Sequence, residues 1–127
     1  MTFIINRMLG IFKKNRYYIK LFINRIEIRD LTHGRTISEE SKTAFNNERI
    51  LVANFEKAED FIKYVFKNYD LSLKNSIGII QQMQMSENGL SEVEKRVLLE
   101  LFSTIGINEI HIDQTLVNLT EKQLAEY

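Results

Sequence analysis

Between Asn54 and Tyr69 the apolar residues Phe55, Ala58, Phe61, Ile62, Val65, Phe66 and Tyr69 fall three and four positions apart. A helix with one apolar face satisfies that spacing, and such a helix has to be covered by another layer of the same domain. Asn54 offers the side-chain oxygen that caps its first turn, and Asn68 marks its C-terminal stop. The flanking segments decide what the covering layer is.

Upstream, Tyr17 to Ile23 is rich in β-formers. Arg25 to Leu31 alternates, with Ile26 and Ile28 on one face and charges on the other. Thr32-His33-Gly34 makes a tight turn in which glycine supplies a positive φ, and Arg35 to Ser38, resuming at Lys42 to Phe45, returns as a third strand. Downstream, Ser76 to Gln81, with Ile77, Ile79 and Ile80, reads as a short buried strand. Ser91 and Glu94 form a capping box for a second helix that buries Val93, Val97, Leu98, Leu101 and Phe102 and ends at Gly106. Ile107 to Ile112 is a fifth strand, and Thr120 with Gln123 caps a short last helix. The expected fold is α/β, in the order β-β-β-α-β-α-β: a five-stranded mixed sheet of ribonuclease-H-like topology, the topology that actin-like ATPases share.

Residues 1–15 precede this domain, which occupies 16–127, and read as an amphipathic helix. Ile4, Ile5, Met8, Leu9, Ile11 and Phe12 fall within an arc of about 160°, with Phe3 the one apolar residue out of place. Arg7, Lys13, Lys14 and Arg16 are its bases, and it carries no acid. One reading lays the stripe in the acyl boundary of an anionic membrane, where each base contributes about 1 kcal/mol. The other packs it on this domain's own sheet or in a homodimer. A third makes it an extension ahead of the true start.

Overall the 17 basic residues balance 17 acidic ones, which argues against a general nucleic-acid binder. The balance hides an asymmetry, with a basic first third and an acidic stretch from Ser86 onward. Without cysteine there is no disulfide, thiolate nucleophile or cysteine-ligated zinc, which favours the cytoplasm. No apolar run approaches the roughly 20 residues that span a bilayer.

Residue detail adds a resemblance. The stretch from Tyr17-Tyr18-Ile19-Lys20-Leu21-Phe22-Ile23 through Gly34 and Ser38-Glu39-Glu40-Ser41 to Phe45 is similar to the start of MreB, the rod-shape-determining bacterial actin-like family. Ser91-Glu92-Val93-Glu94-Lys95-Arg96, continuing through Gly106 to Asn108-Glu109-Ile110, resembles a helix start and strand entry of the same family. Met8 to Lys14 resembles the amphipathic segment that opens many of its members. The resemblance implies an N-terminal subdomain, about the first third of a family member, next to a membrane and a filament of cell-shape proteins.

The departures bear on chemistry. The family places Asp-x-Gly-Thr between its first two strands, so that backbone amides meet phosphate and the Asp holds the metal's water shell. This chain has Lys20, Phe22 and Ile23 at those positions, and Gln114 and Thr115 where the family has an acidic pair. The resemblance therefore implies no ATP hydrolysis, no catalytic residues, no cofactor and no metal. A two-metal nuclease needs converging carboxylates, and Glu27, Asp30 and Asp113 leave the first strand without one. His33 reads as a surface residue and His111 as a packed one. Ser86, Ser91 and Ser103 lack a nucleophile-elbow context. Met83 and Met85 beside Gln81, Gln82 and Gln84 fit either packing at a strand end or a partner edge. Tyr17 and Tyr18 among bases are a weak nucleic-acid signal. The function expected is binding: an adaptor or cap in the cell-shape system at the inner membrane face, or else a self-associating structural protein whose first helix forms the dimer interface, with a nucleic-acid-binding module as the third class.

Overall fold

The computed structural model describes residues 14–127, and residues 1–13 of the expected amphipathic segment lie outside them. Asn15, the last residue of that expected helix, is instead the first residue of strand β1 (Asn15–Phe22), where its amide donates to the Asn75 carbonyl at 3.1 Å. Strands β2 (Arg25–Asp30) and β3 (Arg35–Glu40) follow, then helix α1 (Phe55–Asn68), β4 (Ser76–Gln82), helix α2 (Glu92–Ile105), β5 (Glu109–Ile112) and the short helix α3 (Glu121–Ala125). The five strands form one sheet in the order β3-β2-β1-β4-β5. The first three make an antiparallel meander, whereas β4 and β5 run parallel to β1, with Tyr17 beside Gly78 and Gly78 beside Ile110.

Both long helices cover one face. Ile19, Leu21, Ile26, Ile28 and Ile80 rise from the sheet into the core formed with Ala58, Ile62, Val65, Leu98, Leu101 and Phe102. Each fully buried aliphatic side chain of this kind contributes about 1.5–3 kcal/mol. Aromatic rings close the layer: Phe45 stacks on Phe61 at 6.0 Å, and Tyr17 meets Phe66 edge-on at 5.4 Å. Gly78 lets the layers approach, since a Cβ there would lie 3.2 Å from Ile107 Cδ1. Among the described residues, Leu119 and Leu124 pack over Tyr18 and Ile79 on the opposite face. Lys20, Arg25, Glu27 and Arg29 share this second face, in register with Ser38 and Thr36 of β3.

Local signals in the chain set the boundaries. The Asn54 side chain accepts from the Lys57 amide at 3.0 Å, Ser91 and Glu94 close a reciprocal capping box, and Thr120 with Gln123 forms another. Gly34 (φ +71°) provides the left-handed turn expected of it, and Gly106 (φ +116°) ends α2 in the left-handed region.

Two expectations are corrected. Lys42 to Phe45 does not resume β3. The chain turns at Ser41, whose hydroxyl donates to the Thr43 carbonyl at 2.7 Å, and Phe45 drops into the core with its amide bonded to Asn24 Oδ1 at 3.0 Å. Val93 is not buried. It lies in the first turn of α2, beyond the reach of the core layer, and is 71% exposed.

Candidate functional site

In an open sheet with parallel strands, ligands bind beyond the carboxyl ends of those strands. Here that rim is made by the turn after β1, the exit of β4 and the segment following β5. It holds the positions at which the resemblance places a phosphate loop, so its hydrogen bonds decide what it can do.

Lys20 lies on the polar face of β1. Its ammonium pairs with Glu27 at 3.1 Å, donates to Asn118 Oδ1 at 2.7 Å and sits 5.4 Å from the centroid of the Tyr18 ring. The Phe22 ring carries the Arg25 guanidinium 3.7 Å from its centroid. The Ile23 amide donates to the Gln84 side-chain carbonyl at 2.7 Å, while the Ile23 side chain is 41% exposed. Asn24 occupies the left-handed region at φ +53°; its carbonyl accepts from the Ser41 amide and its side chain from the Phe45 amide. A turn that would bind phosphate aims several amides outward at one point; in this one, the Ile23 amide is turned onto a glutamine in the bend just past β4.

Beyond β4 and β5 lies a polar network that the sequence did not announce. Gln81 is fully buried, and its side-chain amide donates to Asp113 Oδ1 (3.3 Å), Thr115 O (3.2 Å), Thr115 Oγ1 (3.0 Å) and Val117 O (3.0 Å). Its carbonyl accepts from the Tyr18 hydroxyl, which in turn accepts from the Leu119 amide at 3.0 Å. Gln82 ties down the next loop through the carbonyls of Gln84 and Met85, and Met85 packs on the core. Gln114 Oε1 accepts from the Leu90 amide at 3.3 Å. Burial pushes the Asp113 carboxyl up, but hydrogen bonds from Thr115, Tyr127 and Gln81 outweigh it and leave its pKa below the ordinary aspartate value. The Tyr127 hydroxyl, donating to Asp113 at 2.7 Å, is pushed up to about 12.

The acids weighed for nuclease chemistry do not meet. Asp30 is buried opposite Tyr17 at the start of β1, where it accepts from the Thr32 and His33 amides and faces His33 Nδ1 at 2.8 Å. Asp113 lies past the end of β5, and Glu27 is held by Lys20 and Arg25. Among the described residues no group of three or more His, Asp and Glu is placed to hold a metal ion. His33 is largely exposed, as expected, and half-buried His111 bonds Glu109 at 2.9 Å beneath the Tyr127 ring.

Of the residues expected at a membrane, Phe3, Ile4, Ile5, Arg7, Met8, Leu9, Ile11, Phe12 and Lys13 lie outside the described region. Lys14 pairs with Glu109 at 3.0 Å, and Arg16 donates to the Leu124 and Tyr127 carbonyls at the C-terminal end of α3. Both bases are thus engaged by protein. Among the described residues no helix is long and apolar enough to cross a membrane.

Sheet order and helix placement together give an α/β fold of actin-like type. The fold is similar to that of MreB5 of Spiroplasma citri, crystallised bound to ADP, with a TM-score of 0.59 at 15% identity. That likeness covers 81% of this chain and 39% of MreB5, so the chain spans about two fifths of that protein's length. In sequence it is 34% identical over 92 residues to the uncharacterized protein YjaA of Escherichia coli (strain K12), a match covering 66% of this chain and 71% of YjaA. The chain belongs to the YjaA family. No protein-family model matches it.

Proposed function

We propose that this chain works by binding rather than by catalysis, as an MreB-like accessory of the bacterial cell-shape cytoskeleton at the inner face of the cytoplasmic membrane. The observation that carries the reading is the turn after β1: on an MreB-like sheet, its Ile23 amide is taken by Gln84, and Lys20 and Phe22 are committed to Glu27 and Arg25. With that turn closed such a subunit does not switch state on nucleotide, and on a filament it acts as a cap or adaptor. Residues 3–12 supply the apolar contact with lipid, Arg7 and Lys13 the attraction to anionic headgroups.

Co-sedimentation with anionic liposomes tests the membrane part, comparing the full chain with one starting at Asn15. Binding lost on truncation and weakened by salt supports the reading. Equal pelleting of both chains, or none from either, refutes the anchor.

A further inference from the structure

Strand β3 is one edge of the sheet, and its sequence Arg35-Thr36-Ile37-Ser38-Glu39-Glu40 carries a symmetry that the fold makes usable. The Ser41 amide donates to the Asn24 carbonyl at 2.8 Å, and these two residues continue the β2–β3 register beyond the Arg25–Glu40 pair. Antiparallel pairing alternates hydrogen-bonded and non-bonded pairs. Counting back from Ser41, the backbone groups of Glu39, Ile37 and Arg35 therefore face β2. Those of Thr36, Ser38 and Glu40 face outward, and all three residues are exposed.

We propose that this edge is a self-association surface: two copies pair through β3, antiparallel about a two-fold axis at Ile37, and join their sheets into one. A two-fold axis normal to a sheet keeps each side chain on its own face, so only registers whose paired positions sum to an even number exist. Centred on Ile37, the outward-facing Thr36 meets the second copy's Ser38, giving two closely spaced pairs of ladder hydrogen bonds. On the helix face Ile37 meets Ile37, and Arg35 meets the second copy's Glu39 twice over. Opposite charges, small hydroxyls and aliphatics set directly across a ladder are the pairs that stabilise a sheet. Centring on Ser38 instead sets Ile37 against Glu39, and centring on Thr36 sets Ile37 against Arg35. The matched register stands alone.

The charged pair is already positioned. Arg35 Nη2 donates to the Tyr69 carbonyl at 2.5 Å, and the Tyr69 hydroxyl donates to Glu39 Oε2 at 2.6 Å, so one residue at the end of α1 holds both on the same face. Edges guarded against pairing carry charges that repel a second copy; this edge carries charges that complement one.

Sedimentation velocity over a concentration series of the full chain is the test. The wild type is expected to dimerise. Arg35→Glu and Glu39→Arg, each confirmed folded by circular dichroism, are each expected to lose the dimer, because every charged pair becomes repulsive. Mixing the two variants is expected to restore it. One chain then carries an acid at both positions and the other a base at both, so each cross-strand pair is again of opposite sign. Amide exchange at Thr36 and Ser38 in the wild type is expected to slow as concentration rises. A wild type monomeric throughout, a dimer indifferent to both substitutions, or a mixture that stays monomeric overturns the proposal. So does exchange at those amides that ignores concentration, even should the variants fail to fold.

Discussion

The Ile23 amide and the Gln84 side-chain carbonyl, 2.7 Å apart, close the turn after β1 against the exit of β4. On the MreB-like reading proposed above, this turn stands where a phosphate-binding loop would leave the first strand, and the Gln84 side chain would take the place of a ligand. Replacing Gln84 by Ala should cost only about 1 kcal/mol, because water can take over the exposed amide. ADP should still not bind, since Phe22 and Ile23 keep side chains where backbone would have to approach. Urea unfolding and calorimetric titration with ADP check the two halves separately, and heat of binding in either protein would contradict the closed-turn reading.

The buried glutamine is a more sensitive position. Gln81→Leu leaves the buried Tyr18 hydroxyl without an acceptor, which costs about 1–3 kcal/mol, while the carbonyls of the exposed residues Thr115 and Val117 turn to water. We expect a loss of about 1–3 kcal/mol in chemical denaturation. Tyr18→Phe should lose at least as much, because it orphans two buried groups, the Gln81 carbonyl and the Leu119 amide.

Helix α2 offers a contrast within its first turn. Ser91→Ala removes the acceptor for the Glu94 amide at 3.1 Å and should cost about 1 kcal/mol. Val93→Lys, two residues on, should change stability by no more than about 0.5 kcal/mol, because the side chain faces solvent. Reversal of that order in thermal melts would mean that Val93 is covered in solution.

Stability should depend on pH at both extremes. The folded pKa of Asp113 lies below its unfolded value, so its contribution is present above the unfolded pKa and disappears as pH falls through the folded one. Asp113→Asn should flatten that acid limb. Tyr17 is raised from 10.0 to about 12, chiefly by burial and then by the Asp30 carboxylate. Its contribution is full below the unfolded pKa and fades as pH rises from about 10 toward 12. Denaturation midpoints of the wild type and Tyr17→Phe across that interval check this, and parallel curves would refute it.

What the chain discloses in advance is local. The caps at Asn54, Ser91 and Thr120 depend on partners three residues away, and the turn glycines on their own φ, so each was legible from a few neighbouring letters. The misreadings are long-range. Phe45 has the β-propensity of a strand residue, but its place is set by Asn24, twenty-one positions earlier. Periodicity put Val93 on the apolar side of α2 without saying how far the sheet beneath extends. Gln81 closes an apolar strand and binds residues 32 to 36 positions away, a partnership that no spacing rule reveals. At the rim, sequence flagged Lys20, Phe22 and Ile23, but the glutamine that meets the Ile23 amide came only from the geometry.

The reach of Gln81 has a consequence for how the molecule assembles. Its partners at 113, 115 and 117, with Leu119 on Tyr18 and Leu124 on Arg16, tie the C-terminal stretch to β1 and β4 across as many as 108 positions. Loops that long close only after the surfaces they join exist. Residues 113–127 are therefore expected to dock late, and amide exchange over this stretch is expected to report whether the central parallel pair has formed.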